Sequence, residues 1–160
     1  MRSMTITSID ILNSVVRGHA ASTCEADWRG TCSRSYYSIY EDGKEFYANL
    51  PIPGFVRSES IGGLHQDLIE RLSNPGSPRS DPNTLKSRQV GALMATLHAK
   101  RIKADYKRPL AMTMQDAADS VAHATAVQKL LFTAAPASAG PAVATPALTK
   151  GSRPTLTRIK

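Results

Sequence analysis

Cysteine is scarce in this sequence, since its 160 residues contain only Cys24 and Cys32. Two thiols are too few for the disulfide framework of a small secreted domain. Their spacing is also not the Cys-x-x-Cys of a zinc or redox site. We therefore expect both thiols to be reduced.

Long hydrophobic runs are also absent. The most apolar stretch near the amino end, Ile9 to Val16, is interrupted by Asp10 and Asn13 and is too short to cross a membrane. No small-residue cleavage site follows a charged segment, so a secretory signal peptide is not indicated. The sequence predicts a cytoplasmic protein with no part in a membrane.

The chain lacks the alternating Val, Ile and Thr runs, bounded by hairpin turns, that a β-sheet needs. Apolar residues recur instead at helical spacing in five segments. These predicted helices run from Thr7 to about Ala21, from Cys24 or Glu25 to about Phe46, from Ser58 to Leu72, from Thr84 to about Tyr106, and from a Thr113 cap through Leu131. We expect an all-α antiparallel bundle of about five helices over residues 1–132.

Each predicted helix carries one apolar stripe that should face the core. The stripes are Ile9, Leu12 and Val16; Trp28, Cys32, Tyr36 and Ile39; Ile61, Leu64, Leu68 and Leu72; Val90, Leu93 and Leu97; and Ala117, Val121, Ala124, Val127 and Leu131. Two glycines, Gly30 and Gly43, interrupt the second helix. Because glycine disfavours a helix interior by about 1 kcal/mol relative to alanine, they predict close packing or a bend at those positions.

The net charge of +7 is unevenly distributed. Residues 133–160 carry four basic residues and no acid, and they are rich in Ala, Pro, Thr and Ser. Four prolines in this segment rule out a long helix there. We expect a disordered basic tail, which could hold RNA or an anionic partner electrostatically or could serve solubility alone.

The fourth helix has a charge where its apolar stripe should continue, because Arg101 follows Val90, Leu93 and Leu97 at helical spacing. Burying a lone guanidinium costs several kcal/mol, so a partner acid is expected. Asp105 lies one turn further along the same helix, and Tyr106 lies at its carboxyl end.

The second helix has polar residues that would complete such a network. Arg34 and Tyr37 lie within one turn of each other, and Asp27 lies two turns before Arg34 on nearly the same side. Asp27 and Asp105 are thus the predicted partners of Arg34 and Arg101.

Two interpretations of this network remain open. In one, ion pairs and tyrosines fix the register of the helices or seal a dimer interface. In the other, the arginines bind a phosphodiester in an RNA-binding or RNA-cleaving cleft, where a tyrosine positions or stacks a nucleotide.

Two motifs resemble those of the HEPN-domain superfamily. The segment Asp27 to Tyr40, with its Ser-Arg-Ser-Tyr-Tyr core, is similar to that family's RxAxSRAYYAxFH helix, and Leu97 to Asp116 resembles its LxxxRxxADY helix end followed by a threonine-capped helix. His65 also lies where such proteins often have a histidine. The resemblance covers roughly residues 7–132.

The resemblance implies a small antiparallel helical bundle, commonly a homodimer, in a superfamily rich in metal-independent endoribonucleases. Many of these are toxins of toxin-antitoxin pairs or phage-defence effectors, often with a nucleotidyltransferase-like or antitoxin partner. It implies no cofactor. Phosphate or partner binding would fall to Arg34, Tyr37 and Arg101, and orientation of the arginines to Asp27 and Asp105.

Active members of that family carry an arginine followed, after four to six residues, by a histidine. None of the four histidines here follows an arginine at that spacing, and Tyr106 stands after Arg101 instead. Arg101 and Tyr106 are the candidate catalytic residues if catalysis is present. The preferred prediction is an RNA-contacting or partner-contacting protein without the usual ribonuclease motif; an active endoribonuclease toxin and a purely structural, dimeric module are the alternatives.

The four histidines give no metal-binding signal, because none forms a spacing such as His-Glu-x-x-His with other ligands. We therefore predict that they are surface or boundary residues and that the chain has no metal site.

Overall fold

The computed structural model describes residues 6–56 and 63–133, and within them the chain forms five α-helices and no strand. The helices are α1 (Ser8–Ala20), α2 (Glu25–Ala48), α3 (Leu64–Ser73), α4 (Pro82–Tyr106) and α5 (Met114–Phe132). The predicted all-helical bundle is confirmed. The predicted first turns of the third helix, from residue 58 to 62, and the predicted tail beyond residue 133 lie outside the described residues.

Side chains at the helix starts explain where the helices begin. Thr7 caps α1 in a reciprocal pairing with Asp10, and Thr113 caps α5 in the same way with Asp116. The Asp81 carboxylate accepts the main-chain N–H of Asn83 at the start of α4. Such caps satisfy main-chain donors that have no partner within the helix, which fixes the first residue of these three helices.

Helix α2 is the centre of the bundle, because it packs against α1, α4 and α5, while α3 packs mainly on α4. Tyr36 and Ile39 of α2 are fully buried, as are Met94 and Leu97 of α4. The stripe predicted for α2 is therefore confirmed as its core face. Short connections join α1 to α2 and α4 to α5, as expected for antiparallel neighbours.

Two of the predicted apolar stripes are partly wrong. On α1 the buried residues are Leu12 and Val15, whereas Ile9 and Val16 are exposed. On α3, Leu64 is 80% exposed, and burial begins at Leu68. Periodicity alone does not choose between adjacent faces of a short helix, since that choice depends on where the neighbouring helix lies.

One arginine, Arg29 of α2, joins α2 to the end of α4. Its guanidinium donates hydrogen bonds to the main-chain carbonyls of Lys103, Ala104, Arg108 and Leu110, and to the Glu25 carboxylate. Glu25 in turn accepts the main-chain N–H of Met112. We call this group the Arg29 clamp. It fixes the loop after α4 against α2 and thereby positions the last turn of α4.

No helix among the described residues is long and apolar enough to span a membrane.

Candidate functional site

Arg101 lies on the core-facing side of α4 and is only 9% exposed. Its Nη2 donates to the hydroxyl of Tyr37 at 2.5 Å and to that of Tyr106 at 3.2 Å. The same guanidinium lies over both rings, with its Cζ 5.3 Å from the Tyr37 centroid and 5.0 Å from the Tyr106 centroid. The predicted meeting of Arg101 with these two tyrosines is confirmed.

The predicted ion pair within α4 is also present. The Nε of Arg101 lies 2.9 Å from Oδ2 of Asp105, although its N–H is not aligned for a hydrogen bond. Asp105 also accepts a hydrogen bond from Ser33 of α2, at 3.3 Å. The carboxylate compensates the charge of a nearly buried arginine, so the apolar stripe can continue into Arg101 without leaving an unpaired charge in the core.

Two histidines, which the sequence reasoning set aside, complete the site. His65 near the start of α3 and His98 of α4 stack with ring centroids 5.8 Å apart. The Tyr36 hydroxyl lies 2.9 Å from Nδ1 of His65, and the Tyr36 ring lies 5.3 Å from that of His98. We call the group around Arg101 the Arg101 cluster: Tyr36, Tyr37, His65, His98, Arg101, Asp105 and Tyr106.

The electrostatics of the Arg101 cluster favour neutral histidines. Burial lowers the pKa of His65, and the positive charge of Arg101 lowers it further, against a smaller opposite effect of Glu41. Burial likewise lowers the pKa of His98, with His65 and Arg101 acting in the same direction. Burial raises the pKa of Tyr36, so its hydroxyl stays protonated. At neutral pH the cluster therefore presents two uncharged imidazoles beside one fixed positive charge.

The histidines could not be found with a motif in which histidine follows arginine. His98 precedes Arg101 by three residues, so the two share a helix face. His65 reaches the cluster from α3 through the tertiary packing of Tyr36 and Tyr40, whose rings lie 5.5 and 4.4 Å from its own. A search for histidine one turn before an arginine on an apolar stripe would have identified His98 alone.

Asp27 and Arg34 do not belong to the Arg101 cluster. The Asp27 carboxylate caps α2: its Oδ2 accepts the main-chain N–H groups of Thr23 and Cys24 and lies 3.4 Å from the Cys24 thiol. These contacts lower the pKa of Asp27. Arg34 is exposed and lies on the face of α2 that meets α1. The predicted pairing of Asp27 with an arginine is therefore wrong, because the open main-chain donors at the start of α2 take that carboxylate.

Groups of three or more histidine, cysteine, aspartate and glutamate side chains that could hold a metal ion do not occur in the described part of the chain. The acidic side chain of the cluster, Asp105, is occupied by Arg101 and Ser33.

Membership of the HEPN superfamily stays a prediction. The chain is an all-helical bundle, and the two helices that carry the motifs, α2 and α4, meet at Arg101. Comparison of the chain with protein-family models, with curated proteins and with solved structures gave no match.

Proposed function

We propose that the protein binds RNA at the Arg101 cluster and cleaves it without a metal ion. The observation that carries the proposal is the stacking of His65 and His98 beside Arg101. Neutral imidazoles next to a fixed guanidinium supply what phosphodiester transfer needs, namely a proton acceptor and a positive charge. This favours the endoribonuclease alternative over binding without catalysis.

Arg101 would hold the scissile phosphate. Its Nη2 and Nε face Tyr37, Tyr106 and Asp105, whereas no hydrogen bond engages Nη1 among the described residues. Arginine binds phosphate through its N–H groups and keeps its charge at every relevant pH. Because Asp105 and the tyrosines fix the guanidinium beforehand, little side-chain entropy is lost when the phosphate binds.

One of the two histidines would accept the proton of the ribose 2′-hydroxyl. The 2′-oxygen then attacks the phosphorus, the bond to the 5′-oxygen breaks, and the products are a 2′,3′-cyclic phosphate and a 5′-hydroxyl end. A general base works best with a pKa near the operating pH, and the lowered pKa values keep both imidazoles unprotonated at neutral pH. The Tyr36 hydroxyl beside Nδ1 orients His65 for this role.

Tyr37 and Tyr106 would contact the nucleotides on either side of the phosphate. Both rings are substantially exposed, at 43% and 66%, and their hydroxyls point to Arg101. Exposed aromatic rings stack on bases without sequence preference. Their hydroxyls are also the proton donors nearest the guanidinium, so one of them can protonate the departing 5′-oxygen.

The biological setting of the proposal rests on the family resemblance alone. It would be a cytoplasmic toxin-antitoxin or phage-defence system, with the chain as a homodimer beside a nucleotidyltransferase-like or antitoxin partner.

A structural role for the same residues is the second candidate, and one observation favours it. Arg101 is nearly buried and already paired with Asp105 and Tyr37. Such a network can fix the register of α2 against α4 without any ligand. In that case, substitutions in the cluster would change the stability of the protein, and the wild type itself would not cleave RNA.

The test is cleavage of a labelled RNA by the purified protein in the presence of EDTA, with analysis of the product ends. We expect 2′,3′-cyclic phosphate ends. In the variant carrying His65→Asn and His98→Asn, the rate should fall about 100-fold or more, as is typical for loss of general acid–base catalysis. Arg101→Lys, which keeps the charge but not the fork of donors, should lose a comparable factor.

His19→Asn is the matched control, because His19 lies on α1 and is not part of the Arg101 cluster. It should cleave at the wild-type rate. Equal cleavage by the double histidine variant and the wild type would overturn the proposal. Absence of cleavage in all samples, combined with loss of stability in the cluster variants, would establish the structural role instead.

A further inference from the structure

A second site lies where α1 packs against α2, on the face of α2 that carries Arg34. The two helices line an open cavity of about 250 Å³ at the surface. Val15 and Thr31 are buried at its floor, and Gly18 of α1 and Gly30 of α2 also line it. A methyl group added at either glycine would meet no atom within 4 Å. Of the two alternatives predicted for Gly30, close packing or a bend, close packing does not occur, because the space beside it is open.

Thr31 is the most informative residue of this cavity. It is 7% exposed, and its hydroxyl makes no hydrogen bond within the described chain. Other helical threonines here satisfy their hydroxyls on the carbonyl four residues earlier, as Thr96 does with Ala92 and Thr125 with Val121. The Thr31 oxygen is accessible from the solvent-filled cavity rather than sealed in the core, so this hydroxyl is available for a ligand there.

The two ends of the cavity have opposite charges. Arg34 lines one end and has no acidic partner among the described residues, while Asp27 lines the other. All three hydrogen bonds of Asp27 within the described residues involve Oδ2, so none of those residues engages Oδ1. The two residues are seven apart on one helix, so their Cα atoms are separated by about 10 Å along its axis.

We propose that this cavity binds a small phosphorylated compound that carries hydroxyl groups, of the size and chemistry of a nucleoside monophosphate. Arg34 binds the phosphate, the Thr31 and Ser14 hydroxyls contact the middle of the ligand, and Oδ1 of Asp27 accepts a ligand hydroxyl. This site is separate from the Arg101 cluster and does not depend on RNA cleavage.

The separation of the charges decides the ligand class. An α-amino acid is too short to reach both ends, because one carbon joins its two charged groups. Inorganic phosphate would reach Arg34 but would leave Asp27 without a donor. A sugar phosphate or mononucleotide places an anion at one end and hydroxyl donors at the other. Its phosphate can therefore lie at Arg34, away from Asp27, while the Asp27 carboxylate accepts a hydrogen bond from a sugar hydroxyl.

Calorimetric titration of the whole chain with AMP, ribose 5-phosphate, inorganic phosphate and adenosine tests the proposal. We expect AMP or ribose 5-phosphate to bind, and inorganic phosphate and adenosine to bind at least tenfold more weakly. Arg34→Gln should weaken AMP binding at least tenfold, and the nearly isosteric Thr31→Val should weaken it several-fold. Arg88→Gln, at an exposed arginine of α4 that does not line the cavity, should leave it unchanged.

A variant with both Gly18→Ala and Gly30→Ala separates ligand binding from folding. Alanine favours both helices over glycine, and both methyl groups enter open space. The variant should therefore melt no lower than the wild type while it loses AMP binding. The proposal is overturned if none of the small compounds binds, if Arg34→Gln binds AMP as the wild type does, or if only an RNA oligonucleotide binds through Arg34.

Discussion

The Arg29 clamp and the Arg101 cluster are both built around an arginine at the contact of α2 with α4, yet they differ in the partners of that arginine. Arg29 binds four main-chain carbonyls and one carboxylate. Arg101 binds two tyrosine hydroxyls and a carboxylate and lies beside two histidines. Arg29 therefore binds main-chain carbonyl oxygens, whereas Arg101 is surrounded by side chains that can donate or accept protons.

The difference separates a structural arginine from a functional candidate. Carbonyl oxygens do not titrate, and the one carboxylate of the Arg29 clamp, Glu25, is engaged by Arg29 and by the Met112 N–H, so the clamp serves to hold the end of α4 in place. Imidazole and phenol groups can move protons, and a guanidinium beside them shifts their pKa values. Burial does not distinguish the two regions, because the side chains of Arg29 and Arg101 are 18% and 11% exposed.

The largest effect expected from this contrast is on stability at the Arg29 clamp. Arg29→Ala would leave four carbonyls and Glu25 without their donor, and we expect a loss of about 3 kcal/mol in the free energy of unfolding. Urea denaturation of the two proteins gives this value. Arg88→Ala on the exposed face of α4 serves as the control and should change stability by less than about 0.5 kcal/mol.

Arg101→Lys should cost less stability than Arg29→Ala, because lysine keeps the charge opposite Asp105. If Arg101→Lys proves the more destabilising of the two, the contrast between a structural and a functional arginine fails.

The next effect is on the pH dependence of stability. The pKa values of His65 and His98 are lowered from 6.5 in the folded protein, so below about pH 6.5 the unfolded chain binds more protons than the folded one. Stability should therefore fall as the pH drops from about 7.5 to 5.5, and these two histidines contribute no dependence above that window.

Urea denaturation at a series of pH values measures this slope. The variant with His65→Asn and His98→Asn should have a flatter profile over that window, whereas His19→Asn should keep the wild-type slope. An unchanged slope in the double variant would show that the Arg101 cluster does not hold these imidazoles neutral.

The smallest effect concerns two glycines of α2, of which Gly30 follows Arg29 and Gly43 follows the tyrosines of the Arg101 cluster. Gly30→Ala should stabilise the protein by about 0.5–1 kcal/mol, because its methyl group meets open space. Gly43→Ala should destabilise it by about 1 kcal/mol, since a methyl group there would lie 2.8 Å from the Met94 sulfur. Thermal melts of the two variants compare an open and a closely packed part of one helix. A higher melting temperature than the wild type in both variants would contradict the packing described at Gly43.

Much of the fold was predictable because helix formation is largely local. The caps at Thr7 and Thr113 and the proline-rich stop after α2 could be read directly from neighbouring residues. The faces of the short helices α1 and α3 were predicted less well, because Ile9 and Leu64 fit a helical period and yet are exposed.

The candidate site was predicted only in part, for a related reason. Arg101 with Asp105 is a pair within one helix, and the sequence predicts it from a four-residue spacing. The Asp27 carboxylate was assigned to the wrong partner, since it lies on α2 at a position that serves equally for pairing and for capping.

The sequence by itself determined the helices, their caps and the need for an acid beside Arg101, since each of these depends on residues within about one turn of one another. Only the tertiary structure decided that His65 of α3 joins His98 and Arg101 of α4, that Arg29 binds the carbonyls at the end of α4, and that Arg34 lines a separate cavity. These arrangements follow from how α2 packs against three other helices, and the energy of that packing is shared among side chains far apart in the chain.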